Sequence, residues 1–243
     1  MTGPERRSEE HRVSAAADLE DVWRLLTTAE GLASWFGTEA SIDLRVGGAY
    51  EIGWGSDERI VGEVAEIDEG RRLRISYLMD GEEGGGEEWL LSHSDGVTVI
   101  RLIHSMPDPG VEDWDGWYGD FRRGWRMFLA GLRFAAECPT GPDRVVSSTY
   151  VPAPSGREPT WRALAHELRD RPPGDGFATA IEDRPHQLLL TDASSTVLVD
   201  LEGDGDGLVC YVQAASHGPD RAGAASQAWR ADLLARLSAA VPG

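Results

Sequence analysis

VEDWDGWYGDFRRGWRMFLAGLRFAAE, residues 111–137, is the stretch that decides the fold. Trp114, Trp117, Tyr118, Phe121, Trp125, Phe128, Leu129 and Leu132 recur at steps of three and four, which is the apolar stripe of one long amphipathic helix. The start is marked by Asp108 as a cap, Pro109 at a first helical position, and Glu112, Asp113 and Asp115 where the helix dipole favours negative charge. Pro139 and Gly141 stop it. A stripe this rich in rings needs a broad apolar surface to bury against, and the segments before it supply one.

Those segments read as a strand at Glu9–Ala16, a helix capped by Asp18 with Asp21 as its box partner, and a second short helix started by Thr28 and ended by Gly37. Strands follow at Ser41–Val46, Ala49–Trp54, Arg59–Ile67 and Arg72–Leu78. In the last of these Leu73, Ile75 and Tyr77 share one face. Asp80–Gly86 reads as a mobile acidic loop, and Glu87–Ser92 pairs with Val97–Ser105 across Ser94-Asp95-Gly96. Short turns between successive strands give an antiparallel meander, and helices on one face give an α+β two-layer unit. The expected architecture is a curved antiparallel sheet wrapped on a long C-terminal helix, with room between them for a small apolar molecule.

The residues that carry this order resemble the START-like helix-grip superfamily, and within it the domain related to the activator of Hsp90 ATPase. The likeness rests on Val13–Phe36 with Leu32-Ala33-Ser34-Trp35-Phe36, on Asp43-Leu44-Arg45-Val46-Gly47-Gly48-Ala49-Tyr50, on Gly62-Glu63-Val64-Ala65-Glu66-Ile67, and on Gly124-Trp125. It covers about residues 9–138. The resemblance implies a helix-grip fold. It opens three kinds of activity: small-molecule carriage, chaperone-linked interaction, and cyclase-like catalysis.

The second half echoes the first with deletions. Residues 139–160 are proline-rich and read as linker or edge. Gly176–Glu182 then echoes Gly62–Asp68, and Gln187–Thr191 echoes Arg72–Ser76. The pair Thr196–Glu202 and Gly207–Ala215 echoes the last hairpin. Ala228-Trp229-Arg230 stands in a terminal helix as Gly124-Trp125-Arg126 does, and Trp161–Leu164 is similar to Trp23–Leu26. The strand pair between Phe36 and Trp54 has no counterpart. A degenerate second helix-grip domain over 145–243 is expected, forming a pseudo-dimer with the first over 9–138 in a monomeric protein. Alanines replace rings in its last helix, so a ligand site belongs in the first half.

Composition excludes several roles. Among 243 residues the formal net charge is −19, and all 23 basic side chains are arginine. A nucleic-acid binder or a protein of anionic membrane surfaces needs a basic face instead. No apolar run approaches the ~20 residues of a membrane span. The polar Met1–Glu10 has no signal-peptide pattern, and Cys138 and Cys210 read as reduced thiols, so a cytoplasmic location is expected.

No nucleophile elbow, phosphate loop or dinucleotide fingerprint is present. His93 and His104 lack a third ligand, and Asp200, Glu202, Asp204 and Asp206 lack the glutamate of a calcium loop, because Tyr211 stands at its place. No metal or cofactor is expected. The candidate ligand-binding set is the aromatic lining Tyr50, Trp54, Tyr77, Trp89, Trp114, Trp117, Tyr118 and Phe121, with His104 and Tyr77 as polar handles. No catalytic residue is singled out. Non-catalytic binding of a small hydrophobic or aromatic molecule is the leading expectation. A chaperone-linked interaction module and a polyketide cyclase-like enzyme are the alternatives.

Overall fold

The structure, a computed structural model, describes residues 6–54, 59–79, 82–107, 114–137, 144–183, 187–203 and 205–243. Side chains are described for these except at 6, 79, 82–83, 114–121, 123, 180–183 and 206. The chain divides into two compact units, 1–137 and 138–243.

In the first unit β1 (Arg6–Ala15) leads to α1 (Leu19–Thr27) and α2 (Ala29–Ala33). The strands β2 (Glu39–Ile42), β3 (Ala49–Gly53), β4 (Arg59–Asp68), β5 (Arg72–Met79), β6 (Glu82–Ser94) and β7 (Val97–Pro107) follow, and α3 (Trp114–Glu137) closes the unit. All pairings are antiparallel, in the order β1-β7-β6-β5-β4-β3-β2. This is the curved sheet and C-terminal helix of the helix-grip fold. The predicted helix start at Asp108–Asp113 lies outside the described residues.

One face of the sheet is buried and the other is polar, as period-two alternation dictates. In β7, Thr98, Ile100, Leu102, His104 and Met106 point inward. The inward residues of β3, β4, β5 and β6 join Trp125, Leu129, Leu132 and Ala135 of α3 in one core. Outward, arginines meet carboxylates across the strands: Arg101 grips Glu10 with two bonds of 2.9 and 2.8 Å, and Arg72 reaches Glu66 and Glu88 at 2.6 Å each. Exposed pairs of this kind contribute little stability, but they keep a wide face soluble.

Glycines let the strands crowd where the sheet bends. A Cβ on Gly62 would lie 2.4 Å from the Ser76 carbonyl oxygen, and one on Gly86 would lie 2.1 Å from that of Ile75. The β5 register shifts beside them, between Ser76 and Leu78. This corrects the reading of Asp80–Gly86 as a mobile loop: β6 already begins at Glu82, and its glycines serve close approach to the neighbouring strands (Asp80 and Gly81 lie outside the described residues).

Three further expectations need correction. The strand predicted at Ser41–Val46 ends at Ile42, because Asp43–Gly48 folds into a turn closed by Gly48 N–H on the Arg45 carbonyl at 2.7 Å. Asp18 sits at the N-cap of α1, yet its side chain makes no capping bond. That corner is tied by tertiary contacts instead: Thr98 Oγ1 donates to the Ala17 carbonyl at 2.8 Å, and the Ala16 amide donates to Glu137 Oε1 at 2.8 Å. The short helix ends at Ala33 with Ser34 as its cap, before Gly37. Its start is as expected, since Thr28 Oγ1 accepts from the Gly31 amide at 2.9 Å.

The second unit runs β8 (Arg144–Pro152), α4 (Arg157–Asp170), β9 (Ala178–Asp183), β10 (Gln187–Thr191), β11 (Ser195–Glu202), β12 (Val209–His217) and α5 (Ala224–Ala240). Its sheet order is β8-β12-β11-β10-β9. This is the first unit's order with β2 and β3 removed. Of the two readings of 139–160, linker or edge, its described part is the second: it holds the edge strand β8 and the start of α4. Val145, Val146 and Thr149 suit a strand, and Pro152 is tolerated at its end, where no ladder bond is lost. The core of this unit is aliphatic, built from Val197, Val199, Leu201, Val212, Leu233 and Leu237 around Trp161.

Gly62→Ala and Gly86→Ala each force a methyl against a backbone carbonyl. Each is expected to lower stability by about 1–3 kcal/mol, the usual cost of overpacking. Urea unfolding of the two variants beside the parent measures this.

Candidate functional site

The inward row where β1, β7, β6 and β5 cross carries unusual chemistry for a core. Glu9 pairs with His104, His104 with Glu87, and Glu87 with Ile75. Cross-strand neighbours have Cβ atoms about 4.5–5.5 Å apart, so a carboxyl, an imidazole and a second carboxyl stand in line. Glu9 lies toward the surface, with its side chain 24% exposed. His104 and Glu87 are each 1% exposed.

Rings surround this row. Tyr50, Tyr77 and Trp89 are buried on β3, β5 and β6. Tyr50 and Tyr77 flank Gly62 in register, so no side chain on β4 separates them. The Tyr77 and His104 rings are 5.9 Å apart, and His104 is 5.4 Å from Trp125 of α3. Trp125 also meets Trp89 at 5.8 Å and Phe36 at 5.1 Å. Trp35 stacks on Phe36 at 5.0 Å and donates its Nε1–H to the Leu25 carbonyl at 3.0 Å.

Glu87 is the exceptional member. Burial pushes its carboxyl up to about 7, against the opposing influence of Tyr50, Trp89 and Tyr77 around it. None of these closes to a hydrogen bond. Both Glu87 oxygens and the Tyr77 hydroxyl are buried with no partner at bonding distance. Buried polar atoms are nearly always satisfied by protein, water or ligand, so two carboxyl oxygens and a phenol left open at one point call for a partner. Burial likewise raises the Tyr50 and Tyr77 hydroxyls well above the usual tyrosine range, keeping them protonated donors. His104 is pushed down to about 3 by burial and by nearby His11, so its imidazole is neutral.

With this geometry, comparison with known proteins is informative. The family described as "Activator of Hsp90 ATPase homolog 1-like protein" matches residues 16–137, half of the chain. The chain belongs to this family. The match ends with α3, so the second unit lies beyond it. Among curated proteins no sequence matches. Solved structures with a similar fold include DynU16, from the dynemicin biosynthetic locus, at 17% identity and TM-score 0.48, covering 96% of this chain and 95% of that one. The Aha1 dimer from Colwellia psychrerythraea is similar at 20% identity and TM-score 0.48, covering 56% and 99%. CalU16 from Micromonospora echinospora is similar at 24% identity and TM-score 0.41, covering 54% and 84%.

Of the candidate ligand-binding residues, Tyr50, Tyr77, Trp89 and His104 surround one buried point. Trp54 stands apart from it: half-buried, it meets Phe36 and Phe128 and donates its Nε1–H to the Phe36 carbonyl at 3.2 Å. Trp114, Trp117, Tyr118 and Phe121 lie on α3, but their side chains are outside the described ones. His93 is separate from the site and bonds Thr98 through Nδ1 at 2.9 Å. No group of three possible metal ligands occurs among the described residues. No helix of the described residues is long and apolar enough to cross a membrane.

Sequence reasoning missed Glu87 as a site residue, although the signal was present. Glu87, Trp89 and Leu91 alternate on one strand, so a glutamate sharing the face of Trp89 must point inward. Trp125 was placed in the helix stripe but not in the site.

The two buried groups give opposite pH dependences. A carboxyl raised in the folded state contributes stability that is present below about 4.5 and lost as pH rises through about 7. An imidazole depressed in the folded state contributes stability present above about 6.5 and lost as pH falls toward about 3. Between pH 4.5 and 6.5 the slopes oppose each other. Glu87→Gln is therefore expected to stabilise the protein at pH 8 and to steepen its loss of stability from pH 6.5 to 4.5. His104→Gln should flatten that loss. Urea midpoints across this range check both.

Proposed function

We propose that the first unit binds a small, largely apolar or aromatic molecule between the sheet and α3, without transforming it. The observation carrying this reading is the set of buried Glu87 and Tyr77 oxygens with no hydrogen-bond partner, surrounded by indole and phenol rings. Ligand pockets combine apolar walls with a few convergent polar groups, and this interior has that composition. The ligand's polar edge would accept from Tyr77 and donate to Glu87. The family, with its range from carriers to chaperone-linked proteins and cyclases, is compatible with such a role.

N-phenyl-1-naphthylamine, a neutral aromatic amine, tests the reading. Saturable binding of one probe per chain is expected, with energy transfer from tryptophan and at least about fivefold weakening in Glu87→Leu, as loss of a buried hydrogen bond implies. Absence of saturable binding at any concentration up to the probe's solubility would remove the proposal.

A second reading is favoured by one feature. A buried carboxyl near 7 beside a protonated phenol is suited to general acid–base work on an enolisable carbonyl substrate. This reading predicts turnover that follows the ionisation of Glu87 and is lost in Glu87→Gln, whereas simple binding predicts a molecule recovered unchanged. Native mass spectrometry of the freshly purified protein, followed by identification of any co-purified compound, separates the two.

A further inference from the structure

Among the described residues Glu87 meets no counter-charge in its own interior. The chain contains no lysine, so a cation beside it would have to be an arginine. No arginine is among the buried side chains described in the first unit. Arg59, Arg72 and Arg101 stand on the outer face, bound to carboxylates there at 2.6–3.1 Å. The groups that act on the Glu87 carboxyl are the hydroxyls of Tyr50 and Tyr77 and the indole of Trp89, all of them neutral. Buried charges in proteins are ordinarily paired, and this one lacks its pair.

What surrounds the carboxyl is a set of ring faces. Trp89 lies two residues along the same strand and is buried on the same side of the sheet. Its indole meets that of Trp125 at 5.8 Å and 72°, so the two present different walls. Trp125 stands 5.4 Å from His104, the direct cross-strand partner of Glu87, and Tyr77 stands 5.9 Å from the same imidazole. The face of an indole or phenol ring is electron-rich and attracts a cation within about 6 Å of its centroid. A carboxyl among such faces disfavours an anion and favours a cation.

Burying an ion pair often costs more in lost hydration than the attraction returns. Here part of that cost lies in the fold, because the carboxyl is out of water before anything binds. Only the incoming cation has to shed its hydration, and open oxygens and rings replace it.

Resting on the proposed function, we infer that the molecule held between sheet and α3 is an organic cation. Its ammonium donates to the Glu87 oxygens and the Tyr77 hydroxyl oxygen among the faces of Trp89 and Trp125, and its apolar body packs on the remaining rings. A primary or secondary ammonium fits better than a quaternary one, because those three oxygens need N–H donors.

Binding is then coupled to ionisation. The groups facing Glu87 are Tyr50 on β3, Tyr77 on β5, His104 on β7 and, beyond His104, Glu9 and His11 on β1. Arg122 and Arg126 of α3 line a separate pocket at the β1–α3 edge with Glu9, Glu10 and His11. Both tyrosines stay protonated and His104 stays neutral from pH 5.5 to 8, so Glu87 is the titrating group at the cage. An ammonium favours the carboxylate form. Its affinity therefore rises with pH through about 7, and below that point its arrival displaces a proton from Glu87.

Two probes with the same rings test this: 1-naphthylmethylamine, an ammonium throughout this range, and the neutral 1-naphthalenemethanol. Titration calorimetry on the full chain at pH 8 is expected to show the ammonium bound at one site at least about tenfold more tightly than the alcohol, the scale of one charge-assisted hydrogen bond. The ionised fraction of a group titrating near 7 falls about thirtyfold between pH 8 and pH 5.5, so the preference should be lost at the lower pH. At pH 6 the ammonium should release about one proton per molecule bound, read from the dependence of the heat on buffer, and the alcohol none. Glu87→Gln, which keeps the shape, should lose the preference and the proton release together. Equal affinities of the two probes at pH 8 overturn the inference. So does a preference that survives in Glu87→Gln, because the acidic surface then supplies it. Saturable binding of N-phenyl-1-naphthylamine beside either of those results leaves the proposed function standing. If none of the three probes binds, the proposed function fails and this inference with it.

Discussion

Trp125 is the point at which helix and sheet are joined. Its indole touches Phe36, Trp89, Phe128 and His104, from α2's exit, β6, its own helix and β7. Ring pairs at 5–6 Å in tilted and edge geometry are directional as well as apolar, so they fix how α3 is rotated over the sheet. That rotation decides which residues of α3 are buried. Leu129, Leu132 and Ala135 follow Trp125 inward, while Arg122, Arg126 and Arg133 are left outside. The core and the pocket at the β1–α3 edge are both consequences of this one packing.

Against that apolar frame, the Glu9–His104–Glu87 row is costly. A buried carboxylate without full hydrogen bonding is disfavoured enough to be driven toward its neutral form. The raised pKa of Glu87 records that cost. Alanine or leucine at this position would make a simpler core. The retained polarity, with Tyr50 and Tyr77 turned to the same point across the gap left by Gly62, is why this interior reads as a site rather than as filling.

Much of this was legible in the sequence, and what was not has physical reasons. The stripe from Trp125 to Leu132 and the alternation in β5 and β7 gave the helix and the sheet, because periodicity reports directly on which face is buried; the family came from the resemblance carried by Val13–Phe36, Asp43–Tyr50, Gly62–Ile67 and Gly124-Trp125. The glycine run before Glu87 misled, because glycine signals both loops and close strand contacts, and only the neighbouring carbonyls distinguish them. Asp43–Val46 alternates like a strand but turns, since Gly47 and Gly48 allow a closure that hydrophobic pattern alone does not show. β8 could be read only as linker or edge, because the prolines about it suit both. Tyr50, Tyr77, Trp89 and His104 were identified as candidates by type. Their meeting with Glu87 depends on register across four strands, which no local pattern encodes.

The second unit keeps the first unit's topology but discards β2 and β3, and with them any equivalent of Tyr50. Its core cluster contains aliphatic chains, a tryptophan and Cys210, whose thiol is pushed up to about 12. Nothing in that cluster changes charge in the range where cells vary their acidity. The second unit buries its carboxyl elsewhere, Asp200 accepting from Gln187 at 3.0 Å, so the acid–imidazole row set among rings belongs to the first unit's interior alone among the described residues.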